Sequence, residues 1–487
     1  MLQKLAKQSA IYGISTIIGR LLGYLLTPYF TRIFEPTAYG IITDVYALIP
    51  FALVLLSMGM ESSYFRFAAK AEESPDKVGA MRSLFSTTWG VTSMAAVAFV
   101  VLVSLFMAPV CRVMGDVYVA NPLYIQIVAL IILFDVMALI PFVRLRQMGR
   151  ARSYVMLKLL SIILQVGLSV GFGFAGLYAS EFGVGWALVA NLIATVVTFV
   201  AILTTLKNVE LKVNWVLLAA LFAYSLPLLM SGIAATATDF IDRQMIKYII
   251  PEGAMAQLGV YGAVTKIAVV MTLFTQMYRL AAEPFFLSNF KKSDFLEMNA
   301  AAMKYYIMVS VLVFLGISLF KDIFALIVGS EYREGIYILP IVLGANVFMG
   351  VWFNLSFWYK REERTSYALY ITLTGLFVAI VANLIFVPRW GYYGAAWSRF
   401  VAEGAMVAVS YYLNRRFFPT PYDLPRIGGY ILLGVALFVA SELLYPILDG
   451  GVLRFMVNLA LLSIYLIYAV WREKIDLKGL FNSILRR

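Results

Sequence analysis

Five basic residues, Arg20, Lys158, Lys266, Arg279 and Arg399, interrupt long apolar runs of this sequence. An ionisable side chain at bilayer depth is costly unless it faces protein or water, so each such residue marks a passage by default. Their shared positive sign suits an anionic passenger, which a guanidinium grips as a bidentate fork and an ammonium as a point charge. Carboxylates accompany them. Asp44, Asp135, Asp239 and Asp242 lie in or at the ends of the same runs, and the pairs Arg279 with Glu283 and Arg399 with Glu403 have the spacing that lets helical neighbours neutralise one another. A buried carboxylate can carry a proton or a cation, or offset a buried positive charge. The candidates for a substrate-binding cavity are therefore Arg20, Lys266, Lys158 and Arg399. The candidates for a gate or for ion coupling are Asp44, Asp135, Asp239, Asp242, Arg279 and Glu283. No catalytic constellation or metal-ligating set stands out: His is absent, and Cys111 is the single cysteine, with no partner for an intramolecular disulfide.

The elements that hold these residues are read from the hydropathy pattern. The chain of 487 residues is 62% hydrophobic and only 14% charged, against about 25% charged in soluble domains. Apolar runs long enough to cross the hydrocarbon layer as helices recur about fourteen times. The first covers 8–30, the seventh 215–239 and the twelfth 391–413. Arg20 lies about 18 Å into the first of them at the rise of an α-helix, too deep to snorkel easily. Loops between the runs are short, which leaves no room for a folded soluble domain. Lys and Arg crowd alternate segments, as in Arg144, Arg146, Arg150 and Arg152 together with Arg66 and Lys70, and this bias places both termini in the cytoplasm. The net charge of +12 then reflects topology and contact with anionic lipids, not nucleic-acid binding. Pro50, Pro141, Pro227 and Pro340 are expected to interrupt spans.

An internal repeat orders the spans. Tyr39, Gly40, Thr43 and Asp44 in AYGIITD recur as Tyr261, Gly262, Thr265 and Lys266 in VYGAVTK, each opening a helix that enters from the same side. The expected fold is an all-α integral membrane protein of two six-helix lobes related by a parallel repeat, residues 1–206 and 207–414. Residues 415–487 add two further helices and a cytoplasmic tail. Two lobes around a central cleft suit alternating access, and Asp44 and Lys266 place opposite charges at matched depth in the two lobes.

The runs Ile18 to Gly40 and Asp242 to Ile267, the second with its Asp-Arg, Gly-x-Tyr, Ala and Lys pattern, resemble the polysaccharide-biosynthesis flippases of the multidrug/oligosaccharidyl-lipid/polysaccharide exporter superfamily. Arg20 also matches an Arg in the first helix of peptidoglycan-precursor flippases. The resemblance implies a secondary transporter, not an enzyme, that moves a polyprenyl-diphosphate-linked oligosaccharide from the inner to the outer leaflet for O-antigen- or capsule-like polymers. It implies residence in a bacterial cytoplasmic membrane, contact with membrane lipids, and a polysaccharide polymerase or glycosyltransferases as pathway partners. It implies no cofactor, and coupling to an H+ or Na+ gradient as an open energy source. The absence of a Walker motif agrees with secondary transport. Two other readings stand beside it: a cation-coupled drug or metabolite exporter of the same superfamily, and a membrane polymerase or glycosyltransferase. The latter needs a catalytic constellation and a sizeable outer loop, neither of which the sequence offers.

Overall fold

The computed structural model describes residues 24–206, 212–290, 292–362, 364, 366–447 and 451–474. Among these residues the chain is all helical apart from turns and short connections. In chain order the α-helices are α1 (Leu26–Ile33), α2 (Pro36–Ser57), α3 (Met60–Glu72), α4 (Lys77–Leu105), α5 (Met107–Met114), α6 (Asp116–Ala120), α7 (Pro122–Gln147), α8 (Ala151–Phe174), α9 (Gly185–Leu203), α10 (Trp215–Ile249) and α11 (Ala254–Ile267). They continue as α12 (Val269–Asn289), α13 (Phe295–Ser318), α14 (Lys321–Ala325), α15 (Leu339–Leu355), α16 (Phe357–Arg361), α17 (Ser366–Trp390), α18 (Tyr392–Phe417), α19 (Leu424–Leu444) and α20 (Gly451–Glu473).

Local sequence explains where these helices begin and break. Asp76, Asn214 and Asp423 each accept a hydrogen bond from a first-turn amide, at 2.9, 3.1 and 3.2 Å, and so cap α4, α10 and α19. Pro36 and Pro122 open α2 and α7, where a missing N–H costs nothing. Pro340 does the same for α15, and it does so inside the candidate span Ser330–Arg361, where a 3-10 segment gives way to the α-helix. Pro50, Pro141 and Pro227 do lie inside helices. The long span Pro36–Glu72 breaks between α2 and α3, where Met58 and Gly59 take left-handed backbone at φ 50° and 69°.

Among the described residues eleven helices are long and apolar enough to cross a membrane, or twelve when the broken pair α11 and α12 counts as one span. Every expected span after the first coincides with one of these or with α18. That helix has 26 residues, a crossing length, but its polar content keeps it out of the apolar set. The first expected span, 8–30, lies mostly outside the described residues. The whole is a multi-pass, all-helical membrane architecture.

The chain divides into two compact units. One holds Val328–Glu334, Ser366–Ala402 and the described part of Met1–Lys266. The other holds Ile267–Ile327, Gly335–Thr365 and the described part of Glu403–Arg487. In the first unit a core of Met60, Tyr64, Leu84, Phe85, Ile140 and Leu221 joins α3, α4, α7 and α10. In the second, α13 packs against α19 and α20 through Tyr306, Leu315, Tyr430 and Tyr465, while Phe286, Phe295, Phe353 and Phe357 form a smaller aromatic cluster.

Candidate functional site

Helix α2 enters its span with Asp44 fully buried in the first unit. A carboxylate there needs donors, and three converge on it. Lys247 Nζ on α10 donates at 2.5 Å, Tyr118 hydroxyl on α6 at 2.7 Å and Gln244 amide on α10 at 3.0 Å. The Lys247 ammonium also lies 5.0 Å from the Tyr118 ring centre, so it touches the aromatic face as well as the carboxylate. Burial, and then the charge of Asp44, raise the Tyr118 hydroxyl well above its ordinary pKa and keep it a donor. Asp44 and Lys266 are therefore not a pair. Lys266 instead donates to Tyr39 hydroxyl at 2.9 Å, a group packed edge-on against Tyr332. Lys247 and Gln244 lie beyond the expected end of the seventh span at 239, since α10 continues to Ile249, and Tyr118 lies on α6 in the expected loop between the third and fourth spans.

The two copies of the repeat meet face to face. A side chain at Gly40 would run into the carbonyl of Met255, and one at Gly262 would run into Thr43, so both positions need glycine for the backbones of α2 and α11 to approach. Beside this contact Asp242, also buried, accepts from Asn383 amide at 3.0 Å and from Tyr261 hydroxyl at 3.3 Å. Asp242 is thus held among polar partners and does not end its helix in solvent.

A second polar centre lies further along the same span. Glu61 on α3 is 17 residues beyond Asp44, past the break at Met58 and Gly59. A cavity of about 290 Å³ lies between α3, α7 and α8, lined by Glu61, Asp135, Phe142, Arg146, Tyr154 and Lys158 among others. Arg146 donates to Glu61 at 2.6 Å. Lys158 Nζ stands 4.2 Å from the Phe142 ring centre, and no described residue hydrogen-bonds Asp135. The structure thus brings Asp135 and Lys158, singled out separately in the sequence, to one cavity.

The remaining candidates are dispersed. Glu283 in the second unit accepts from Lys360 at 3.1 Å, and Arg279 lies 4.8 Å from the Phe353 ring centre, so the expected Arg279–Glu283 neutralisation gives way to these partners. Helix α18 carries Arg399 in the first unit and Glu403, buried, in the second. Arg20 and the side chain of Asp239 lie outside the described residues. Two further ion pairs tie the last helices to α13 and α14: the buried Lys304 with Glu473, and Lys321 with the partly exposed Glu442 at 2.6 Å. Among the described residues no cluster of His, Cys, Asp and Glu is arranged to hold a metal ion.

This architecture is a fold also found in membrane transporters. The structure resembles "Lipid II flippase MurJ, inward closed conformation" with a TM-score of 0.72 at 14% identity, covering 96% of this chain and 100% of that one. It resembles an inward-facing multidrug-resistance MATE family transporter of the MOP superfamily with a TM-score of 0.69 at 15% identity, covering 85% and 95%. Comparison with the curated proteins finds no match. The sequence matches the family described as "Polysaccharide biosynthesis protein" over residues 5–290, and the chain belongs to that family.

Proposed function

We propose that the protein is a secondary transporter that flips a polyprenyl-diphosphate-linked oligosaccharide from the cytoplasmic to the outer leaflet of a bacterial inner membrane, with both termini cytoplasmic, for a surface polysaccharide. The observation that carries this reading is a charged cavity at span depth, with Lys158 and Asp135 on its wall, in a member of the polysaccharide biosynthesis family. Charges within spans are expected where a polar headgroup must pass while its lipid tail stays in hydrocarbon. The likeness in fold to a lipid II flippase supports the same passage.

In this reading Arg20, Lys266, Lys158 and Arg399 face the anionic headgroup as it moves. Alternating access between the lobes 1–206 and 207–414 exposes it first inside and then outside. Contact of α2 with α11, and the buried Asp44–Lys247 pair, close the outer side until the headgroup is loaded. An inside-negative potential drives an anion outward, and an H+ or Na+ gradient acting through Asp44, Asp135, Asp239 or Asp242 is the other energy source. Membrane lipids and a polysaccharide polymerase or glycosyltransferases of the same pathway are its partners.

The test is leaflet-resolved translocation in proteoliposomes containing purified wild type, Arg20→Ala or no protein. Wild type is expected to expose the labelled lipid-linked oligosaccharide to the outer leaflet, and Arg20→Ala to fall to the empty-vesicle rate. Transport by both proteins would keep the flippase and remove Arg20 from it. A folded wild type that moves none under imposed gradients, yet exports small organic cations, would replace the reading with a drug exporter.

A further inference from the structure

The cavity between α3, α7 and α8 has a charge pattern that an anion site would not choose. Its wall carries two carboxylates, Glu61 and Asp135, and two cations, Arg146 and Lys158. The sum is zero. A diphosphate entering there would meet as much repulsion as attraction, whereas a neutral polyhydroxylated ring answers both signs at once. Each hydroxyl donates one hydrogen bond and accepts others, so it can give to a carboxylate and take from an ammonium or guanidinium. Asp135 receives no hydrogen bond from any described residue, and Lys158 Nζ rests against the Phe142 ring without an ion pair within 4 Å. Both are therefore left to meet what fills the cavity. Tyr154, half-buried and packed edge to face against the buried Phe142 at 5.4 Å, supplies the apolar surface against which the C–H face of a sugar ring packs. At about 290 Å³ the space stands at the lower end of small-molecule sites, enough for a single ring and too small for an oligosaccharide.

We infer that this cavity is a sugar subsite: it takes one neutral hexose or N-acetylhexosamine ring of the headgroup, with Asp135 accepting from and Lys158 donating to its hydroxyls. The inference rests on the flippase reading and adds to it that, within the headgroup, Lys158 serves the sugar, and the diphosphate falls to Arg20, Lys266 and Arg399.

The experiment measures binding of two probes to purified protein in nanodiscs: a polyprenyl diphosphate bearing one N-acetylhexosamine, and the same lipid without sugar. Wild type is expected to bind the sugar-bearing lipid more tightly. Asp135→Asn, which keeps shape and removes charge, is expected to weaken that lipid about tenfold, as loss of a charged hydrogen bond does, while the bare lipid stays within about twofold. Leu139→Phe narrows the same cavity without touching a charge and is expected to act alike, which keeps the test alive if the Asn variant folds poorly. Equal weakening of both lipids, or no change in either, overturns the sugar subsite while leaving the flippase intact. A folded wild type that binds neither lipid overturns the flippase reading itself, and the subsite with it.

Discussion

Asp44 sits where a charge is tolerated only because three donors surround it. Replacing it with Asn would leave the Lys247 ammonium, whose side chain is 4% exposed, without its counter-charge. Breaking one side of such a pair costs about 3–5 kcal/mol, much of it the stranded partner. Asp44→Asn should therefore lower the thermal unfolding midpoint sharply, and adding Lys247→Met should recover more than half of the loss. A double variant no more stable than the single one would show that the pair is not what holds this corner. The sequence marks Asp44 as a charge within a span and places Lys266 at the matching position of the repeat, yet the side chain that meets Asp44 is Lys247, because repeat equivalence says which positions correspond and not which side chains meet. Lys158 and Asp135 were legible as intramembrane charges for the same reason that Asp44 was. Their common cavity was not, since it depends on how α7 and α8 are rotated about their axes, which an almost uniformly apolar pattern does not encode.

Helices are the level at which this sequence was most readable. Long apolar runs give spans directly, and the errors fall where polarity and structure part company. Helix α10 has 35 residues, about 52 Å of helix, against roughly 30 Å of hydrocarbon. Its last turns carry Asp242, Gln244 and Lys247, buried against Asn383 and Asp44, and a hydropathy reading stops short of such polar turns. The repeat was read correctly as two helix entries, and the structure adds that the two copies touch through Gly40 and Gly262. A Cβ built on Gly262 lies 3.0 Å from that of Thr43, just short of the roughly 3.5–4.5 Å span of a disulfide. Thr43→Cys with Gly262→Cys, in a Cys111→Ser background, should cross-link on mild oxidation after a small adjustment. If opening to the outside requires α2 and α11 to part, oxidation abolishes flipping and reductant restores it. Full activity of the cross-linked protein would place the moving contact elsewhere.

Across the whole molecule, the cations at span depth, not the net charge of +12 that topology explains, favour an anionic cargo moving down an inside-negative potential. Each uncompensated charge carried outward gains about 2.3 kcal/mol per 100 mV. A diphosphate crossing with both charges exposed gains about 4.6 kcal/mol by the same relation, enough to drive the step without nucleotide hydrolysis. If buried cations return empty while the cargo leaves charged, the cycle moves net negative charge outward. Its initial rate should then rise with an imposed inside-negative potassium diffusion potential and fall when the potential is reversed, at constant pH and sodium. If protein cations and cargo instead cross as a neutral pair and part outside, the loaded step is insensitive to voltage, and the dependence moves to the return of the empty carrier. Single-turnover and steady-state flipping measured side by side separate these cases: voltage acting on both assigns the charge to the loaded step, and voltage acting on steady state alone assigns it to the return. A rate indifferent to voltage in both, but steep in proton or sodium gradient, would transfer the driving role to a carboxylate, with Asp135→Asn and Asp242→Asn as the variants that should then uncouple it.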